Sequence, residues 1–282
     1  MVPLSALGSL TIEPLGATVG AEVLGVERSQ LIDDAALPTR CMEALEQHGV
    51  LVFQRREIDD ETQIAFSKRL DDVGKAEPAE PPRIFTLTLD PAKNPVAEYL
   101  RGTFAWHIDG AQDEVPTKAT MLSAKVVAAE GGETEFACTY AAYDNLDGED
   151  KERFESVRVL HSFEASQRLV HPDPTPGELA RRREKPDREH PLVWRHRSGR
   201  RSLVIGATAD HVVGMDRAPG RALLDRLLAR ATAPGRVYRH AWFVGDLVIW
   251  DNTGVMHRAC PYDPASAREL HRTTMSGDEP IR

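Results

Sequence analysis

The feature that most constrains this chain is a succession of short β-rich runs that begins at Ile84 and continues almost to the end of the sequence. IFTLT, FAWHID, ATMLSAKVV, the segment around Val157–Phe163, PLVWRH, SLVIG, VYRHAWF, DLVIWDN and LHRTTM follow one another, separated by Gly, Pro and Asp. No regular strand–helix alternation is present to build a doubly wound parallel sheet. The pattern predicts a mainly β sandwich or barrel, and a jelly roll with flanking helices fits it best.

The first part of the chain is mixed. A strand pair is expected around Leu10–Val26, a helix over Asp33–His48 that ends at Gly49, a short strand at Val50–Gln54 and a helix over Asp59–Leu70. Later helical pieces are expected at Tyr140–Leu146, Asp150–Glu155 and Arg217–Arg230. With 282 residues, one catalytic domain is the default, since β-sandwiches and barrels reach this size around a single core. One stretch departs from the rest: His171–Glu189 holds four prolines and a dense mix of charges, so it reads as a long loop, either a solvated insertion or a mobile cover over a site. The domain reading is therefore 1–282, with a loop or lid insertion at 166–189.

Net charge decides between partner classes. At −9 with a pI near 5.6, the chain lacks the clustered basic surface that phosphate backbones require, so a nucleic-acid partner is not expected. An anionic substrate would have to be captured by a few placed arginines, because the field of the whole molecule repels it. Cys41, Cys138 and Cys260 are odd in number, far apart and outside any Cys-x-x-Cys pattern, which predicts a reducing, cytoplasmic setting. MVPLSALGSLTIEPLG lacks the basic and apolar regions of a signal peptide, and no run of 18 apolar residues occurs, so no membrane association is expected.

The local signal for chemistry is Trp106-His107-Ile108-Asp109. Residues i and i+2 of a strand point to the same face, so this imidazole and carboxylate can grip one metal ion side by side. His-x-Asp by itself is a common coincidence and as often a simple hydrogen-bonded pair. Its company gives it weight. His257 follows the strand-like DLVIW run and can complete a facial two-histidine, one-carboxylate set, the arrangement that leaves open positions on a non-haem iron. Downstream of His107 lies Gly131-Gly132-Glu133-Thr134, and downstream of His257 lie Arg268 and Arg272. A hydroxyl and a bidentate guanidinium suit the far carboxylate of a dicarboxylic cosubstrate. If 268–272 is a strand, both arginines share one face.

With these residues in view, the sequence resembles the taurine/2,4-dichlorophenoxyacetate (TauD/TfdA) dioxygenases. The resemblance runs from GVLVFQ and QIAFSKRL through WHID, MLSAKVV, GGETEF, AAYDNL, HPLV and VYRHAWFVGDLVIWDN to RELHR. Thr134 lies 27 residues after His107, and Arg268 and Arg272 lie 11 and 15 after His257, offsets that match the family's pattern. The resemblance implies a double-stranded β-helix jelly roll, Fe(II) held by His107, Asp109 and His257, and 2-oxoglutarate and O2 as cosubstrates. It implies Thr134 and Arg268 on the distal carboxylate of 2-oxoglutarate, Arg272 beside its C1 carboxylate and the substrate anion, and a homodimer or homotetramer. Thr103, four before His107, and Phe104 are candidate substrate contacts, with Trp106 a further apolar one. Thr103 stands where the taurine and dichlorophenoxyacetate enzymes often have Asn, and the loop from Asp71 to Pro95 follows neither pattern. AAYDNL, HPLV and VYRHAWFVGDLVIWDN look closer to the dichlorophenoxyacetate branch, which favours an aryloxyalkanoate-like carboxylate and ether cleavage. Sulfonates, alkyl sulfates and N-acyl amino acids are the alternatives within the family. Outside it stand a cupin-like metal-dependent hydrolase or isomerase and a non-catalytic jelly-roll binding protein.

Overall fold

The computed structural model describes residues 10–75 and 80–282. Residues 1–9, part of the stretch read for a leader, and 76–79, part of the 71–95 loop, lie outside the described residues. The chain runs β1 (Thr11–Pro14), β2 (Ala21–Leu24), α1 (Gln30–Asp33), α2 (Leu37–His48), β3 (Val50–Phe53), α3 (Asp60–Asp71), β4 (Phe85–Leu87) and a 3-10 helix, Ala97–Phe104. Next come β5 (Ala119–Val126), β6 (Thr134–Cys138), α4 (Thr139–Asp144), α5 (Gly148–Phe154), β7 (Arg158–His161), α6 (Phe163–Arg168) and α7 (Pro176–Arg183). It ends with β8 (Arg188–Pro191), β9 (Val193–Arg195), β10 (Arg201–Leu203), β11 (Ala209–Val212), α8 (Arg217–Ala231), β12 (Val237–His240), β13 (Leu247–Asp251), β14 (Val255–Ala259) and β15 (Glu269–Met275).

The major sheet has the order β1-β2-β3-β13-β5-β15-β4, and a minor sheet has the order β12-β6-β14. Two further small sheets, β11-β7-β8 and β9-β10, complete the jelly roll, and the described sheets do not close into a barrel. Strand periodicity sorts the core into layers. Leu51, Phe53, Met121, Leu247 and Ile249 face outward onto α1, α2 and α3. Their neighbours Val50, Val52, Leu122, Val248 and Trp250 face inward, where they meet Phe136 of the minor sheet. The space between the two sheets is thus walled by strands that are themselves braced from behind by helices. No described helix is long and apolar enough to cross a membrane.

Three local expectations change. The helix expected over Asp33–His48 divides, because Asp34 Oδ1 accepts from the backbone N–H groups of Ala36 and Leu37 and restarts the chain as α2, with Pro38 in its first turn. FAWHID is not a strand: the 3-10 helix takes its first residue, Gly110 turns the chain with φ 75°, and only His107 pairs, as an isolated bridge to His257. Part of the stretch expected as a loop is helical. α7 is closed by a capping box in which Thr175 and Glu178 satisfy each other's backbone N–H, with Pro176 at the first helical position.

Candidate active site

His107 and His257 come from distant parts of the chain and are fastened together through the backbone. His107 N–H donates to His257 O at 2.9 Å and His257 N–H to His107 O at 2.8 Å, and their rings lie 4.2 Å apart. The ring of His107 is oriented by Nδ1 against Ala105 O at 2.9 Å; a carbonyl only accepts, so Nδ1 donates and Nε2 is left facing the site. Nε2 then faces Asp109 Oδ1 at 3.7 Å. Ligand atoms of His107, Asp109 and His257 all lie within 4.8 Å of one another.

The charge states suit a cation. Burial alone would raise the Asp109 carboxyl, but His257, Arg272, His107 and the Thr120 hydroxyl together bring it down to about 2. Burial, then His107, pushes His257 down to about 3, so its imidazole is neutral. Nδ1 of His257 is buried with no hydrogen-bond partner. A neutral His257 imidazole with an unsatisfied buried ring nitrogen, the His107 imidazole beside it and an ionised carboxylate form a donor set that fits a divalent iron.

Asp109 is itself held. Its Oδ2 accepts from Thr120 Oγ1 at 2.8 Å, Thr120 Oγ1 accepts from Asn252 Nδ2 at 3.0 Å, and Asn252 Oδ1 accepts from Trp250 Nε1 at 2.9 Å. This relay of β5 and β13 side chains carries no sequence motif; only the pairing of Trp250 with Thr120 across the two strands brings it together.

Two cavities meet at the triad. The inner one, about 60 Å³, is lined by Thr134, Arg268 and Tyr262; the outer one is about 580 Å³, and both are bordered by His107, Asp109, Thr103 and Arg272. Arg268 is 5% exposed, donates Nε and Nη2 to Gly132 O at 3.1 and 2.8 Å, and lies 4.7 Å from the Tyr262 ring. Among the described residues it makes no ion pair at contact distance, and Tyr262 and Glu133 offset its burial only in part. Gly131 is required beside it: with φ at 72°, a Cβ there would collide with Pro261 O. Thr134, 3% exposed, accepts from Trp242 Nε1 at 3.0 Å.

Arg272, on β15, lies 4.8 Å from the Phe85 ring, and its buried Nε has no partner. Leu270 and Arg272 border the inner cavity together with Arg268, as a common strand face requires, although the β15 register shifts at Glu269/Leu270. Thr103 lies in the last turn of the 3-10 helix with its hydroxyl donated to Leu100 O at 2.6 Å and borders both cavities. Phe104 borders the inner one, edge-on to Tyr262. Trp106 is different. Its side chain is buried in the core behind the site and lines neither cavity, because residues 106 and 107 of an extended segment face opposite ways. The 166–189 segment contributes Ser166, Gln167, Arg181 and Lys185 to the outer cavity, none of which sequence reasoning singled out.

Comparison with known proteins accords with this geometry. Residues 11–274 match the model of the family described as "Taurine catabolism dioxygenase TauD, TfdA family". An (S)-phenoxypropionate/alpha-ketoglutarate-dioxygenase of Sphingobium herbicidovorans is 34% identical over 276 residues, 95% of each chain. An alpha-ketoglutarate-dependent 2,4-dichlorophenoxyacetate dioxygenase of Cupriavidus pinatubonensis is 36% identical over 293 residues, covering 98% of this chain and 96% of its own. Among solved structures, AAD-2 in complex with Mn(II) and N-oxalylglycine superposes with a TM-score of 0.82 at 31% identity, covering 97% of this chain and all of that one.

Proposed function

The chain belongs to the taurine catabolism dioxygenase TauD, TfdA family, and from that premise we propose that it hydroxylates a small aryloxyalkanoate-like acid at the carbon beside the ether oxygen. It is a 2-oxoglutarate-dependent dioxygenase whose reaction consumes Fe(II)-activated O2 and 2-oxoglutarate. In this reading His107, Asp109 and His257 hold the iron within one domain, and the α6–α7 segment is an insertion over the mouth. Bound iron supplies the redox chemistry that couples decarboxylation of 2-oxoglutarate to succinate with insertion of one oxygen atom into a substrate C–H bond.

The protein's own residues supply position. Arg268 and Thr134 receive the distal carboxylate of 2-oxoglutarate in the inner cavity, which aims its keto acid end at the triad. The observation that carries the substrate reading is Arg272, which borders both cavities with its buried Nε unpartnered and with no carboxylate at ion-pair distance among the described residues. An acid held there keeps its first carbons beside the iron ligands while its body fills the outer cavity. Oxygen insertion at a carbon bearing an ether oxygen gives a hemiacetal, which collapses to a phenol and a carbonyl compound. The three free cysteines fit a reducing, cytoplasmic setting.

The test is succinate and phenol release from a panel of aryloxyacids, each paired with its neutral amide, in the wild type and in His257→Ala. Turnover of acids well above amides is expected, with His257→Ala losing both turnover and the visible absorption band of the Fe(II)–2-oxoglutarate complex. Equal turnover of acid and amide overturns the substrate class, and an intact band in His257→Ala overturns the ligand assignment.

A further inference from the structure

The outer cavity carries two cations that the reading above leaves unused. Arg181, in the last turn of α7, and Lys185, just beyond it, both line the same cavity as Arg272. Most surface arginines of this protein are tied to carboxylates, as Arg158 is to Glu189 and Arg168 to Glu164 and Asp210. Arg181 and Lys185 make no ion pair among the described residues. Lys185 Nζ lies 4.4 Å from the Phe163 ring centroid, and Arg181 interacts with Tyr99 as well as with Glu178 and Glu184 of its own segment. A helix C-terminus favours basic residues in general, which accounts for the run 181–183 but not for Arg181 and Lys185 both bordering the cavity beside aromatic side chains.

The aromatic seats matter because they fix long side chains that would otherwise roam. Tyr99 comes from the 3-10 helix that leads to His107, and Phe163 opens α6; both border the cavity themselves. The cavity is therefore cationic at its floor, through Arg272, and cationic again at its rim, with Phe85, Leu100, Tyr99 and Phe163 around it. Asp113 is the acidic group that borders it besides the iron ligand Asp109. A substrate with one anionic group satisfies one end of this arrangement and leaves the other cation pair with water.

We propose that the substrate is a dianion: an aromatic or apolar body with one acidic group held by Arg272 near the iron and a second held at the rim by Arg181 and Lys185. This rests on the aryloxyalkanoate reading and narrows it to the diacids of that class. The rim pair acts on binding, since it stands away from the reacting carbon.

The experiment compares phenoxyacetate with 4-carboxyphenoxyacetate as probes, by titration calorimetry into the full-length protein loaded with Mn(II) and N-oxalylglycine. The dianion should bind roughly tenfold tighter or more, the scale of one charge-assisted hydrogen bond. Arg181→Gln with Lys185→Gln should remove that advantage and leave phenoxyacetate binding unchanged. Arg183→Gln, the loss of one positive charge on the same helix outside the cavity, should leave both unchanged. A dianion that binds no tighter than the monoanion, or an advantage that survives the double variant, overturns the proposal, as does a double variant that weakens both probes equally. Succinate release with phenoxyacetate reports separately on the function itself, so the diacid claim can fall while the dioxygenase reading stands.

Discussion

At the scale of single residues, the site shows how a backbone atom can govern a cosubstrate. Arg268 is aimed by its two hydrogen bonds to Gly132 O, and a Cβ on Gly132 would lie 2.8 Å from Arg268 Nε and 2.9 Å from its Cδ. Gly132→Ala therefore pushes the guanidinium away and strains a residue whose φ is 76°. A rise in the KM for 2-oxoglutarate of roughly tenfold or more is expected, the cost of a displaced charged hydrogen bond. The substrate KM should stay nearly unchanged. Steady-state kinetics varying each reactant in turn checks it, and equal shifts in the two constants would remove Arg268 from its assigned place. The triad and the two arginines were legible in the sequence because ligand chemistry needs particular residue types at strand spacings. Thr120, Asn252 and Trp250 were not, because an oxygen or an indole that orients another side chain can come from any strand that happens to pass.

At the scale of elements, strands were easier to read than their partners. Alternation in ATMLSAKVV and DLVIWDN reports directly on two faces of a buried strand, and both appear as β5 and β13. α7 was hidden because proline and charge suggest a loop, although Thr175-Pro176-Gly177-Glu178 is a capping box in plain sight. That box has a measurable weight. Thr175→Ala should destabilise α7 by about 1 kcal/mol, which multiplies its locally open population about fivefold. Tryptic cutting at Arg181–Arg183 should quicken by the same factor while the global unfolding midpoint barely moves. An unchanged cutting rate would mean that packing of α6 on α7, and not the cap, holds the segment.

At the scale of the whole molecule, buried titratable groups set the response to acid. Burial pushes His161 down to about 3 and His190 down to about 4, so both stay neutral in the folded protein while the unfolded chain takes up their protons below about pH 6.5. The unfolded state then binds more protons, and stability falls as pH falls. Burial raises Asp251 to about 6, the opposite case: its contribution is present below pH 3.8 and is lost as pH rises through 6. Two imidazoles outweigh one carboxyl, and buried His257 adds to their side in the metal-free protein. Urea unfolding of metal-free protein at pH 7, 6 and 5 should therefore show stability dropping below pH 6.5, by about 1.4 kcal/mol per pH unit for each uncompensated proton. A flat profile would show that these histidines are hydrated in the native state.

The bridge between His107 and His257 reaches further than geometry. Two of the three proposed iron ligands, with their carboxylate relay only half built, leave the ribosome well before β13, β14 and β15 are made. A chain in synthesis consequently offers a loose pair of donors to any divalent metal nearby, and tight capture waits for β14 to dock beside His107. In that sense metal capture would wait on β14: a chain arrested before His257 lacks the third donor of the triad.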